Sequence, residues 1–248
     1  MGRWEPTAMP LAAPRTPCHD GCPPEVPRVP KQVTNVASDD ALTTIYRINH
    51  DEGDEVIAAR VAERLGITPA SIAGMLSRLT RDRLVTMDAK KRISLTSAGM
   101  ARAEEMVRRH RLAECLLVNV MGLEWWRAYE EAHLMEHSIS EVTEPLIVRL
   151  LGNPAVSPFG YPIPGHAHDH PLSSRHLSDL ANGDVTRVQR VYEEDEELLQ
   201  LFDKEGIRPG VEVEVKEVAV KRGTLTVAFD GRTVVLGRDP ARRIWVEA

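Results

Sequence analysis

The chain has 248 residues, 42% of them hydrophobic, enough apolar material for one large domain or two to three small ones. Three cysteines cannot form a disulfide framework, no apolar run approaches the length of a membrane span, and the N-terminus lacks an apolar segment of signal-peptide type. A cytoplasmic protein without membrane contact is therefore expected. The net charge of −6 would argue against a nucleic-acid partner if it were evenly spread, but residues 60–92 hold eight basic side chains against three acidic ones. The acids gather elsewhere, above all in residues 193–197.

Residues 1–37 carry eight prolines and no apolar periodicity, which predicts a disordered leader. Cys18 and Cys22 lie there with His19 and Asp20 between them, but without a second Cys/His pair nearby the segment reads as a tail. Structure is expected from Ser38, with Leu42, Ile45, Tyr46 and Ile48 mostly on one helical face. A short helix over 56–65 ends at Gly66, and Thr68 and Pro69 then supply an N-cap and a first helical residue. The helix over 70–83 turns Ile72, Met75, Leu76 and Leu79 inward. Two short helices joined by a tight Gly-containing turn form a helix-turn-helix. Residues 84–86 and 92–95 then read as strands around a basic turn, the wing of a winged helix.

A long helix runs from Thr96 to about Val120. Gly122 breaks it, and a further helix over 124–151 contains Pro145, which implies a kink or a boundary. Residues 152–165, with four prolines, form a loop, and 166–183 a polar linker with His166, His168, His170 and His176. Those histidines could collect metal, but a His-enriched flexible loop is the plainer reading. Strand patterns over 211–220, 224–229, 233–236 and 244–246, punctuated by glycine, predict a small β-barrel within 184–248. The expected class is mainly α with a small β part. The expected division is leader 1–37, winged helix 38–100, helical domain 101–165, linker 166–183 and barrel 184–248.

Thr68, Ala70, Ser71, Gly74 and Ser77 give the recognition helix a small, hydroxylated outer face, and Arg78 and Arg81 make its far end basic. That pattern suits a helix N-terminus in the major groove of double-stranded DNA with arginines on phosphates. Lys90, Lys91 and Arg92 in the wing add phosphate attraction. A winged helix that binds protein instead is the weaker reading, given the local basic excess.

On a helix, positions i, i+3 and i+4 share a face, so His133, Glu136 and His137 cluster, as do His110 and Glu114. Imidazole with carboxylate suits divalent first-row metals. One such cluster is as often a solvated helix face, but two of them downstream of a DNA-binding pattern favour metal. Trp125 and Trp126 are expected to pack in a dimer or domain interface.

The order of parts from Ser38 onward resembles the diphtheria toxin repressor family of iron- and manganese-dependent bacterial regulators. The resemblance rests on Leu42-Thr43-Thr44-Ile45-Tyr46, Val61-Ala62-Glu63-Arg64-Leu65-Gly66, Arg109-His110-Arg111-Leu112-Ala113-Glu114, residues 130–138, and Ser157-Pro158-Phe159-Gly160-Tyr161-Pro162-Ile163-Pro164-Gly165. It implies a winged helix, a helical dimerisation domain that holds the metals, and an SH3-like C-terminal domain. It further implies a homodimeric repressor that senses Mn(II) or Fe(II) and binds a palindromic operator.

Carried over by position, the resemblance places a primary site at Asp40, His133, Glu136 and His137. It places an ancillary site at His110 and Glu114, to which Glu194 and Glu197 reach back from the C-terminal domain. Iron-responsive members resemble Met and Cys at the positions of Asp40 and His133, and manganese-responsive members Asp and Glu. The chain follows the manganese pattern at Asp40 and neither pattern at His133. Thr43 stands where manganese members carry a second carboxylate, and Tyr129 where the family carries another ancillary histidine. Without thiolate or thioether, the oxygen donors of Asp40 and Glu136 favour Mn(II) slightly over Fe(II). The rival from another class is a metalloenzyme built on His133, Glu136 and His137. It lacks support from a His-Glu-x-x-His helix or a substrate motif.

Overall fold

The computed structural model describes residues 36–166 and 170–247. The leader up to residue 35, with Cys18 and Cys22, and His168 of the linker lie outside the described residues. Helix α1 (Val36–Tyr46) begins inside the expected leader and already contains Asp40. It runs into one π-helical turn, Arg47–Asp51, the wider turn that often marks functional positions. Helix α2 (Ala58–Arg64) and helix α3 (Pro69–Arg81) follow, and Thr68 caps α3 by accepting from the Ser71 amide at 3.2 Å. Strands β1 (Val85–Met87) and β2 (Ile93–Leu95) pair antiparallel to make the wing. At its tip, Asp88 Oδ1 accepts from the amides of Lys90 and Arg92, both at 2.9 Å, which folds the basic turn.

Leu42, Ile45, Ile48, Val61, Ile72, Leu76, Leu79, Val85 and Ile93 bury one core with Ala103 and Val107. The last two belong to α4 (Ser97–Asn119), so this helix leaves the winged helix and enters the next layer. Thr96 caps it, and a Cβ on Gly99 would meet the Leu84 carbonyl oxygen at 1.9 Å, so only glycine lets α4 approach the wing.

The helix expected over 124–151, with a kink or boundary at Pro145, is three pieces, one of which starts at Glu144 beside that proline. A 3₁₀ turn (Trp125–Arg127) leads into α5 (Ala128–Glu136), and α6 (Glu144–Leu150) starts afresh. Pro145 sits in the first turn of α6, where its missing N–H costs nothing, and Thr143 Oγ1 accepts from the Ser140 amide at 2.8 Å to hold the intervening turn.

The C-terminal part is one antiparallel sheet of five strands in the order β6-β5-β4-β3-β7. They are β3 (Val185–Val191), β4 (Glu212–Ala219), β5 (Thr224–Phe229), β6 (Arg232–Gly237) and β7 (Ile244–Val246). The outer strands β6 and β7 do not pair with each other, so the sheet is not closed into the expected barrel. Helix α7 (Glu196–Glu205) was not expected between β3 and β4; Asp195 caps it and Leu199 and Phe202 bury its inner face. A short helix α8 (Arg238–Arg242) precedes β7.

Trp125 and Ala128 join Phe159, Tyr161, Phe202 and Val227 in the core of this sheet, so Trp125 packs at an internal contact between modules. Residues 157–165 form the seam. Gly160 has φ +92°, and a Cβ there would lie 2.1 Å from the Gln189 carbonyl oxygen. The Val191 amide donates to the Phe159 carbonyl at 3.1 Å. No described helix is long and apolar enough to cross a membrane.

Candidate metal centre

Helix α5 presents His133 and Glu136 one turn apart, and His137 caps its end with its ring still on the same face. His133 Nδ1 and His137 Nε2 lie 3.3 and 3.4 Å from Glu136 Oε1. From α1, Asp40 Oδ1 comes within 3.6 Å of His137 Nε2. Donors on a single first-row ion, at about 2.0–2.2 Å from it, sit roughly 3.0–3.5 Å apart. Asp40 Oδ1 and both ring nitrogens of His137 are buried without a hydrogen-bond partner. Buried polar atoms are normally paired, so a donor set left open in this way fits a divalent cation. Three of the four predicted primary ligands, Asp40, Glu136 and His137, thus converge, and His133 meets the set through Glu136.

The sequence separates His110 and Glu114 from this cluster, whereas the structure does not. His110 Nδ1 contacts Glu136 Oε2 at 2.6 Å, and its Nε2 lies 3.0 Å from Glu114 Oε1. Glu136 therefore faces His110 with one oxygen and His133 and His137 with the other. His110, His133 and Glu136 form one potential ligand group, and Asp40, Glu136 and His137 another. His110 ties the two predicted sites together.

The electrostatics follow from burial and neighbours. Burial opposes ionisation of Glu136, but hydrogen bonds from His110 and His133 and the nearby Arg47 charge hold its carboxyl well below the usual range. Burial and Arg47 oppose protonation of His110, yet the Glu114 and Glu136 carboxylates outweigh them and push it up to about 9. His133 is raised by its hydrogen bond to Glu136, and burial raises Asp40 against the pull of His133 and His137. The site is acidic in total and holds protons that a metal must displace.

The reach from the C-terminal sheet differs from the prediction. Glu197 is exposed in the first turn of α7 and meets neither His110 nor Glu114. Glu194 accepts instead from Arg47 Nη1 at 3.2 Å, from Arg64 Nε, and from Tyr192 at 3.3 Å. Burial opposes ionisation of Glu194, but the two arginines hold its carboxyl below the usual range. The acid that faces the ancillary pair is Glu193. It is 3% exposed, and burial together with the Glu114 charge pushes it up to about 8. Glu193 Oε2 and Glu114 Oε2 lack hydrogen-bond partners, and His110 Nε2 and Glu114 Oε1 meet at 3.0 Å as an ion pair rather than in hydrogen-bond geometry. Glu193 and Glu194 both follow Val191, the last residue of β3; Glu193 turns into the interior, and Glu194 turns to Arg47 and Arg64. Tyr129 stands where a histidine was expected and receives a hydrogen bond from Arg47 Nη1.

Sequence reading also missed a buried arginine network. Arg111 and Asp51 pair, and Arg190 Nη2 donates to the Asp51 carbonyl at 2.9 Å. Arg111 Nη1 donates to the Pro162 carbonyl at 2.7 Å, and both guanidinium groups lie over the Tyr161 ring. Basic residues at apolar periodicity, such as Arg111 between His110 and Leu112, were the available signal. A polar cavity of about 260 Å³ opens beside the metal ligands, lined by Thr43, Arg47, Arg64, Tyr129 and Glu194 among others. Thr43 gives its hydroxyl to the Asp40 carbonyl at 3.0 Å.

The surface assigned to DNA is exposed throughout: Thr68, Ala70, Ser71, Gly74, Ser77, Arg78 and Arg81 on α3 and its cap, and Lys90, Lys91 and Arg92 on the wing. Arg92 is paired with Asp88 at 2.7 Å and Glu55 at 3.1 Å, and Arg81 with Asp82 at 3.4 Å. Of the linker histidines, His166 contacts Asn153 at 2.9 Å and His176 packs on Trp245 with ring centroids 5.0 Å apart.

Three family models match in sequence order. Residues 36–93 match the N-terminal DNA-binding domain of iron-dependent repressors, 96–165 their metal-binding and dimerisation domain, and 175–248 the FeoA domain. The diphtheria toxin repressor of Corynebacterium efficiens is 33% identical over 217 residues, covering 83% of this chain and 93% of that protein. The iron-dependent repressor IdeR of Mycobacterium tuberculosis is 44% identical over 124 residues, 50% of this chain and 54% of its own length. A manganese-dependent transcriptional repressor solved with manganese superposes with a TM-score of 0.78 at 33% identity, covering 84% of this chain and 98% of that one.

Proposed function

The chain belongs to the diphtheria toxin repressor family, and we propose that it is a homodimeric, metal-dependent transcriptional repressor that responds to Mn(II) or Fe(II) and binds a palindromic operator. Its similar proteins are named repressors rather than enzymes. One observation carries the reading. Asp40 from the DNA-binding module converges with Glu136 and His137 at the end of α5, and the buried donor atoms of Asp40 and His137 are left open, with His133 beside them on Glu136.

Asp40, His133, Glu136 and His137 form the primary site. A divalent ion bound there supplies positive charge that offsets Asp40 and Glu136. Asp40 then holds α1 against α5, and α1 shares its buried face with α3 through Leu42, Ile45 and Ile72. The tilt of the recognition helix follows the α1–α5 contact, a shift between arrangements that the protein already samples. His110, Glu114 and Glu193 form the second cation site, with Glu193 in the role that the resemblance gave to Glu194 and Glu197. Mn(II) is slightly favoured, since the donors are carboxylate and imidazole without sulfur.

The N-terminal hydroxyls and small residues of α3 read the major groove, while Arg78, Arg81, Lys90, Lys91 and Arg92 take phosphates. A second copy covers the exposed apolar residues Leu134, Val142, Leu146 and Leu150 on α5, on α6 and in the turn between them. The divisions at about 38–100, 101–165 and 184–248 serve DNA binding, metal with dimerisation, and an SH3-like module whose five-strand order supports that name. A repressor of chromosomal operators works in the cytoplasm.

Operator binding titrated separately and anaerobically with Mn(II), Fe(II), Co(II), Ni(II) and Zn(II) tests the reading. Tight binding only with metal, and with Mn(II) or Fe(II) effective at the lowest free concentration, is expected. Metal-independent binding, or none with any metal, defeats it.

A further inference from the structure

The segment joining β3 to α7 touches the DNA-binding module through arginines. Glu194 accepts from Arg47 with Oε1 at 3.2 Å, and Arg64 and Tyr192 share its Oε2. Arg64 also meets Glu52 Oε1 at 2.6 Å, and Arg47 Nη2 lies 3.8 Å from Glu193 Oε1. Arg47 is 6% exposed and stacks its guanidinium over Tyr129, 4.9 Å from the ring centroid. Arg64 stacks over Tyr192 at 5.5 Å. Both oxygens of Glu194 are thus committed to guanidinium groups, and a carboxylate so engaged has little left to offer a metal.

The placement of the two arginines matters. Arg47 opens the π-helical turn directly after α1, and Arg64 is the last residue of α2, four positions before the Thr68 cap of the recognition helix. The geometry points to Arg47 and Arg64 as positioning residues that fasten the C-terminal sheet to the recognition module through Glu194 without metal. The sheet is thereby held to the π-helical turn and to the end of α2 whether or not a cation fills either site. This fastening is the same whichever metal the protein senses and whether or not it represses.

Hydrogen–deuterium exchange on the full metal-free chain tests it, following residues 157–165 and 185–191, where the seam between modules lies. Wild type is expected to exchange there at the same rate, within about twofold, with and without Mn(II). Arg64→Met and Glu194→Gln should each raise exchange in both segments about tenfold or more, and added Mn(II) should not restore protection. Arg64→Lys, which keeps the charge, should recover part of it. Arg47→Met is the harsher variant because Arg47 is deeply buried; should it fail to fold, Arg64→Met and Glu194→Gln carry the test. Fast exchange at the seam of metal-free wild type that Mn(II) suppresses would overturn the proposal, as would unchanged exchange in Arg64→Met and Glu194→Gln.

Discussion

Two buried charged regions join the modules of this protein, and they differ in whether their charges are complete. In the network of Asp51, Arg111, Arg190 and Tyr161, the carboxylate charge meets guanidinium and the guanidinium groups find carbonyls and an aromatic ring. Its charges are matched, although the Nε atoms of Arg111 and Arg190 have no hydrogen-bond partner. Around Asp40, Glu136 and His137, donors face one another across an open centre and keep unpartnered atoms. The low-dielectric interior penalises unpaired charge far more than it rewards a pair. A complete network therefore acts as permanent structure, and an incomplete one as a receptor for the missing charge.

The largest effect should come from the incomplete region. Glu136→Ala removes the carboxylate that both ligand groups share. It should abolish metal-stimulated operator binding while the metal-free protein still folds and dimerises, as gel shift and sedimentation would show. Operator binding by Glu136→Ala at the wild-type metal concentration would remove this cluster from the mechanism.

The complete region should respond in stability rather than in metal dependence. Asp51→Ala leaves the buried Arg111 without its carboxylate, and breaking a buried pair from one side costs about 3–5 kcal/mol. The expected result is a much lower denaturation midpoint with and without metal. A normal midpoint would show that the network is not the fixed element of the comparison.

Arg78→Ala and Arg81→Ala, remote from both regions, should weaken DNA binding on all sequences alike and lower the salt slope by about one unit for each phosphate no longer neutralised. Metal affinity without DNA should stay the same. Normal DNA affinity in the double variant would take α3 out of the groove.

His133 tests which donors set the metal ranking. Its side chain is 46% exposed, so replacement is sterically easy. His133→Cys should shift the ranking toward Zn(II) and Fe(II), and His133→Glu toward Mn(II). An identical ranking in wild type and both variants, read as operator binding, would place His133 outside the coordination shell.

The smallest expected effect is on pH. His110 is pushed up to about 9 from an ordinary 6.5, so the stability it contributes is complete below 6.5 and is lost as pH rises through about 9. Glu193, raised to about 8 from 4.5, adds a cost in the same direction as it ionises. The melting temperature of metal-free protein should fall between pH 7 and 9, and saturating Mn(II) should flatten the slope. A melting temperature that rises over this range would contradict the pairing of His110 with Glu114 and Glu136.

Much of this molecule could be read before any fold was in hand, wherever the message is local. Thr68, Pro69 and Gly66 mark the ends of α2 and α3 because caps act within one turn, and His133, Glu136 and His137 share a face because helical spacing alone dictates it. Strand β5 alternates visibly over its length and β4 over its first half. Where a short strand or helix draws its apolar face from several distant elements, the pattern fails, as it did for β3 and α7.

The amino-acid sequence by itself determined the winged helix, the helical face that carries the metal ligands and the basic exposed surface of α3 and the wing, since each depends on periodicity, capping or local charge. Only the tertiary structure decided that Asp40 meets His137 across two helices, that His110 belongs to the same cluster, and that Glu193 faces inward while Glu194 is taken by Arg47 and Arg64. Those contacts join residues far apart in the chain. Packing settles which of the two acids is buried, because Arg47 and Arg64 engage Glu194 while the interior closes over Glu193.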